Sequence, residues 1–278
     1  MTAKWWRVTI TAEPEIVDAI AAAVVNATGH GVEEPRAGVI STILSSERDA
    51  NALVTAVRDQ FAGVDATVDA TIPVDWSTRW RDGIVTRTFG RLVLTPSWLP
   101  VAPRDDQVVV SIDPESAFGS GEHGSTRGAL ALLERRLAAG DRVLDLGSGS
   151  GILAIAAIKL GARSAVGIEV DAEALPVADE NARKNRVDHA ATFLVGDAAQ
   201  LAPLAGPAAL ICSNILRSVN TILMPAILAA LAADGTVIFA GMEVIEEALF
   251  RPVLEAHGLE VVDEERDAGW WSVAARRQ

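Results

Sequence analysis

The stretch that decides the fold is Val143-Leu144-Asp145-Leu146-Gly147-Ser148-Gly149-Ser150-Gly151, followed at once by Ile152-Leu153-Ala154-Ile155-Ala156-Ala157. An apolar run ends in three glycines at alternate positions and gives way to an Ala/Ile/Leu segment, which reads as a strand turning sharply into a helix. Glycines there let the backbone turn tightly and approach a ligand at the carboxyl end of the strand. Outward from this turn, apolar runs at 142–146, 165–169, 191–195, 208–213, 236–240, 260–264 and 271–275 read as strands. Helical patterns at 127–137, 152–160, 172–185, 219–232 and 244–256 lie among them. Such alternation builds a doubly wound parallel α/β sheet. The last two strands are joined by a short loop ending at Gly269, too short for a crossover helix, so the seventh strand is expected to run antiparallel.

Residues 1–74 read as a separate, small unit. Trp6, Val8 and Ile10 alternate along a strand at 5–11, and Pro14 opens a helix over 15–28 that Gly29 and Gly31 close. Short strands at 31–34 and 39–44 flank a turn at 35–38. An amphipathic helix at 49–61 stops at Gly63, and a strand at 64–72 ends before Pro73. The order β-α-β-β-α-β suggests a ferredoxin-like α+β domain, an architecture that names no function by itself. Residues 75–112 form a connector. Trp76 and Trp80 would share a helical face there, and strands at 91–95 and 108–112 flank a loop holding Pro96, Pro100 and Pro103. The expected plan is therefore 1–74, 75–112 and 113–278.

The glycine loop admits two cofactor classes by spacing. A dinucleotide pattern G-x-G-x-x-G can be counted from Gly149 only if Ala154 replaces the last glycine. Asp145 tips the balance. A carboxylate two residues before Gly147 opposes a pyrophosphate but suits the α-ammonium of an amino-acid-bearing cofactor. Glu169 ends the next strand, 22 residues beyond Gly147, where its carboxylate can accept from both ribose hydroxyls of an adenosine. Together Asp145, Gly147, Gly149, Gly151 and Glu169 point to S-adenosylmethionine. Asn214, in Ser213-Asn-Ile-Leu216, ends the fourth strand at the same sheet edge. Its amide oxygen can accept from an incoming N–H without bringing charge, or the side chain can cap the helix that follows. Upstream, Asp113-Pro-Glu-Ser-Ala-Phe118-Gly-Ser-Gly121-Glu122-His123-Gly124-Ser125-Thr126 reads as a site loop. The Thr126 hydroxyl is placed to touch the cofactor's carboxylate. His123 is either a general base or a structural residue, since no acidic partner accompanies it in sequence.

The segment from Asp113 to Thr126 resembles the signature of the ribosomal protein L11 methyltransferases (the PrmA family), within the class I S-adenosylmethionine-dependent methyltransferases. The Asp145–Ala157 stretch is similar to that family's cofactor loop, and Ser213-Asn214-Ile215-Leu216 resembles its A-N-I-L. The resemblance covers roughly 75–276 well and the N-terminal unit in pattern only. It implies transfer of methyl groups to α- and ε-amino groups of one ribosomal protein, with residues 1–74 as the recognition domain. Cofactor contacts carry over by position to Thr126, Gly147, Glu169 and Asn214. On this reading Asn214 positions the amine, with Phe118 and Ile215 as apolar walls that exclude water. The chain departs from the pattern at Glu122 and Gly124 in the site loop and at Glu169, where the family has Asp. Alternatives of the same fold act on another protein lysine or a small amine. A non-catalytic S-adenosylmethionine-binding module and a nicotinamide-dependent oxidoreductase are further readings.

Composition narrows the partners. The 278 residues are 50% apolar with a net charge of −13, which excludes a disordered chain. Cys212 has no partner for a disulfide and fits a reducing, cytoplasmic compartment. No signal-like start or 18-residue apolar run is present, so no membrane association is expected. No basic cluster longer than a pair occurs, which argues against direct nucleic-acid binding. His30, His123, His189 and His257 are scattered, and no metal is expected. The acidity is uneven: residues 1–100 carry 9 basic and 12 acidic groups, the remainder 15 and 25. The larger, acidic part can steer a basic partner.

Overall fold

The computed structural model describes residues 5–71, 84–113, 119 and 121–278; Trp76, Trp80 and Phe118 lie outside them. The chain divides into two compact units, Met1–Asp82 and Gly83–Gln278. In the first, β1 (Trp5–Thr11), α1 (Val17–Thr28), β2 (Glu33–Arg36), β3 (Val39–Leu44), α2 (Glu47–Gln60) and β4 (Asp65–Thr71) form a sheet of order β2-β3-β1-β4. Every neighbouring pair is antiparallel, the ferredoxin-like arrangement. The alternation read in β1 is real, since Val8 and Ile10 are buried beside Ile20, Val24 and Val57 of the two helices. Helix α2 begins two residues before the expected 49, because the Ser46 hydroxyl accepts from the Asp49 N–H at 3.3 Å and caps the first turn. The strand β2 continues through Pro35 to Arg36, so the turn is tighter than 35–38.

The second unit opens with β5 (Arg87–Phe89), β6 (Leu92–Thr95) and β7 (Val108–Ser111), a three-stranded sheet from the segment read as a connector. Leu92, Leu94 and Val110 join the same core as the helices of this unit. Then follow α3 (Gly124–Arg136), β8 (Arg142–Leu146), α4 (Ile152–Leu160), β9 (Ser164–Glu169), α5 (Leu175–Lys184) and β10 (Ala191–Val195). The chain ends with α6 (Ala198–Ala205), β11 (Ala208–Asn214), α7 (Arg217–Ala230), β12 (Leu231–Glu243), α8 (Glu247–Ala256), β13 (Leu259–Asp267) and β14 (Trp270–Arg277). The sheet order is β10-β9-β8-β11-β12-β14-β13. Strands β8 to β12 pair in parallel, and β14 is antiparallel to both its neighbours, so the seven-stranded class I methyltransferase sheet is present as expected.

Both faces of this sheet are covered, which explains the near-continuous apolar strands. Successive residues go to opposite cores: Leu210, Cys212 and Ile238 face one, while Ile211, Val237 and Phe239 face the other. Several helix readings change, among them α7, which runs from 217 to 230 rather than 219 to 232. No helix was expected between the strands at 191–195 and 208–213; helix α6 fills that gap, and Asp197 caps it by accepting from the Ala199 N–H at 2.8 Å. Helix α3 starts three residues before 127, and α5 starts at Leu175 rather than 172. The strand order reverses between β8 and β11, and a crevice opens at such a switch point, outside the carboxyl ends of the strands.

Candidate active site

A cavity of about 650 Å³ occupies that crevice, a size suited to a cofactor. Among the described residues its walls include Gly147 and Gly149 after β8, Glu169 at the end of β9, and Gly196 to Ala198 after β10. Asn214, the last residue of β11, and Ile215 and Leu216 after it form a further wall, and His123, Ser125 and Trp270 also line the cavity. Val219 and Leu223 of α7 add apolar surface.

The glycine loop is pinned before any ligand arrives. The Gly147 N–H donates to the Ile168 carbonyl at 2.8 Å and the Gly151 N–H to that of Ser148 at 2.8 Å. The Asn181 side chain donates to the Ser150 carbonyl at 3.0 Å. Gly151 faces away from the cavity, and a Cβ there would lie 2.7 Å from the Phe193 ring, so this glycine serves packing of the loop. Glu169 is turned into the loop. Its Oε2 accepts from the Gly149 N–H at 2.9 Å, and its Oε1 accepts from those of Val170 at 2.8 Å and Asp171 at 3.0 Å. One lone pair of Oε2 is left for a ligand hydroxyl.

Asp145 and Thr126 stand behind the walls. The Asp145 carboxyl is fully buried. Its Oδ2 accepts from the Ala154 N–H in the first turn of α4 at 3.1 Å, and its Oδ1 has no partner among the described residues. Burial pushes its pKa from 3.8 up to about 7, the negative Glu169 adds to the rise, and the Ala154 N–H opposes it. Thr126 lies in the first turn of α3, fully buried, and its hydroxyl accepts from Asn214 Nδ2 at 3.1 Å. That hydroxyl therefore orients Asn214 in this structure instead of facing the cavity. With its amino group so engaged, Asn214 presents Oδ1, buried and without a partner among the described residues. His123 Nδ1 lies 2.8 Å from Ser125 Oγ, and its ring packs 4.2 Å from that of Trp270. Burial and the nearby Arg127 lower the His123 pKa, favouring the neutral imidazole.

The residues present fit an amino-acid-bearing adenosine cofactor: a pinned glycine turn, a carboxylate with a free acceptor site, and an orphaned amide oxygen line one cavity. Comparison with known proteins then decides the family. The model of the ribosomal protein L11 methyltransferase (PrmA) family matches residues 4–278. The chain belongs to that family. A ribosomal protein L11 methyltransferase of Geobacter sulfurreducens is 33% identical over the whole of both chains. One from Desulfitobacterium hafniense is 36% identical over 73% of this chain, which spans 65% of that relative's length. A crystal structure of ribosomal protein L11 methylase from Lactobacillus delbrueckii subsp. bulgaricus superposes with a TM-score of 0.63 at 31% identity, over 69% of this chain and 98% of that one.

Both departures of the site loop from the family pattern have local partners. Glu122 forms an ion pair with Arg87 of β5, Nη2 to Oε2 at 2.5 Å. A Cβ on residue 124 would lie where the chain already has the Asp267 carbonyl, 2.6 Å away, and the Trp270 ring, 2.7 Å away. The glycine is therefore matched to the tip of the β13–β14 hairpin. Sequence reasoning passed over Trp270, because the cue depends on burial that the sequence does not show. Adjacent residues of a strand face opposite ways, so with Trp271 fully buried, Trp270 must leave that core.

Two expectations follow. Between pH 3.8 and about 7 the folded chain keeps a proton on Asp145 that the unfolded chain has released, so this group's stabilisation is lost as pH rises through that window. Relative to Asp145→Asn, wild-type stability should fall by up to about 1.4 kcal/mol per pH unit there and level off above it. Urea midpoints across the window check this, and parallel profiles contradict it. Replacing Glu169 by Ala should weaken S-adenosylmethionine binding about tenfold or more, through loss of hydrogen bonds to a charged group. Calorimetry reads the change, and an unaltered affinity removes Glu169 from the cofactor site.

Proposed function

We propose that this chain transfers methyl groups from S-adenosylmethionine to α- and ε-amino groups of ribosomal protein L11. The observation that carries the reading is Asn214, whose buried amide oxygen, without a partner among the described residues, stands at the switch point beside the glycine loop and Glu169. Gly147, Gly149 and Glu169 would hold the cofactor, with Asn214 at its reacting end. Asp145, behind the cavity wall, supports the loop by accepting from the Ala154 N–H. When bound, the cofactor supplies a methyl group on a sulfonium, open to in-line attack by a neutral amine.

The work left to the chain is to deliver that amine deprotonated and aligned. A lysine amine has a pKa near 10.4 and an α-amine near 8, so at neutral pH both arrive largely protonated. Ile215, Leu216, Val219, Leu223 and Trp270 line the approach, and apolar surroundings lower an ammonium's pKa. The Asn214 oxygen then accepts one N–H of the neutral amine and directs its lone pair. Being uncharged, it does not stabilise the ammonium as a carboxylate would. Alignment of this kind supplies several kcal/mol of the barrier reduction. Phe118 is proposed as a further apolar wall. The ferredoxin-like unit is proposed to recognise the protein substrate, and the cytoplasm, where ribosomes work, is the proposed compartment. No helix of the described residues is long and apolar enough to cross a membrane.

Asn214→Ala should lower kcat for L11 methylation about a hundredfold, the scale of a misplaced reacting group, while the chain stays folded. Steady-state kinetics with purified L11 test it; a wild-type kcat overturns the role of Asn214.

A further inference from the structure

Helix α7 buries Leu223, Met224, Ile227 and Ala230 on one face, and the same stripe begins at Asn220. An amide occupies a position where the helical period calls for an apolar side chain, and it is fully buried. Buried amides persist where their hydrogen bonds are made, and those of Asn220 are specific. Its Oδ1 accepts from the Ser213 hydroxyl at 2.6 Å. Its Nδ2 donates to the Ile215 carbonyl at 3.1 Å and to the Ala240 carbonyl at 3.3 Å. Ser213 and Ile215 are the two residues that flank Asn214 in the chain, and Ala240 is its register partner on β12.

We propose that Asn220 is a positioning residue for methyl transfer: its buried amide grips both neighbours of Asn214 and so fixes where the Asn214 amide points. The inference rests on the reading of Asn214 given above and adds to it. Asn220 does not line the cavity and touches no reactant. From its front, the Asn214 side chain is held by Thr126. From behind, its backbone is held through Ser213 and Ile215. Release of either neighbour lets the Asn214 Cα–Cβ direction swing, and small displacements of a reacting group are costly to rate. The proposed cofactor contacts at Gly147, Gly149 and Glu169 are on other strand ends, and the Asn220 amide bonds to none of them.

A double-mutant cycle on the full chain tests this, with kcat for L11 methylation, calorimetric affinity for S-adenosylmethionine and thermal stability read for each variant. Asn220→Ala should lower kcat about tenfold or more and leave cofactor affinity within about twofold. In an Asn214→Ala background the same change should cost less than about twofold in kcat, because the group it positions is gone. An equal loss in both backgrounds, or a folded Asn220→Ala variant with wild-type kcat, overturns the proposal. Should Asn220→Ala fail to fold, Ser213→Ala enters the same cycle. It removes one of the three bonds and one oxygen atom, and a loss of about threefold confined to the Asn214 background is expected. If Asn214→Ala alone retains wild-type kcat, the parent reading fails. If it does not, and the Asn220 effect is absent or independent, only the positioning role fails.

Discussion

The backbone at Ile215 runs through a gap that admits no side chain from β12. A Cβ on Gly241 would lie 2.4 Å from the Ile215 carbonyl oxygen and 2.8 Å from its nitrogen, and Gly241 has a φ of +80° that disfavours other residues. On the β8 side, a Cβ on Gly147 would lie 2.5 Å from Ile215 Cγ2. This close approach brings the ends of β8, β11 and β12 together at the strand-order reversal. Asn214 thereby reaches the same cavity as the glycine loop. Thr126 then holds the Asn214 side chain from the front, and Asn220 grips its chain neighbours Ser213 and Ile215 from behind.

The other wall of the site is fastened by arginine. With 21 arginines and three lysines, the chain uses planar, forked donors that can bridge two acceptors at once. Arg127 of α3 bonds both Asp267 and the Glu122 carbonyl. Arg135 and Arg136 on the same helix meet Asp263 of β13. Single exposed ion pairs contribute little, but these span two elements side by side. Arg127 holds the start of α3, with His123 and Thr126, against the tip of the hairpin that carries Trp270, and Arg135 and Arg136 hold its last turn against β13. Each such pair cancels one basic and one acidic group, so the net negative charge of the larger part is carried by its unpaired carboxylates.

The features legible in the sequence are those set by local pattern. Alternation gave β1, a glycine-punctuated strand gave the turn after β8, and the short gap before Gly269 gave the antiparallel last strand. Asn214, Glu169, Gly147 and Gly149 stand on the cavity because each ends or follows a strand at the same sheet edge. Burial behind that edge was not legible. Whether Asp145 and Thr126 face a ligand or the interior depends on helix packing, since α3 begins early and its first turn closes over Thr126. Helix α6 was hidden by Pro203, whose missing N–H a short, capped helix tolerates. Asn220 left only a faint trace, one polar residue at the head of an apolar stripe, and its meaning appears only when Ser213, Ile215 and Ala240 are seen around it.

The most direct measurement is to incubate the full chain with S-adenosylmethionine carrying a labelled methyl group and purified ribosomal protein L11, and to map the label by mass spectrometry. The account predicts label on α- and ε-amino groups of L11. S-adenosylmethionine binding without transfer to L11 would contradict it.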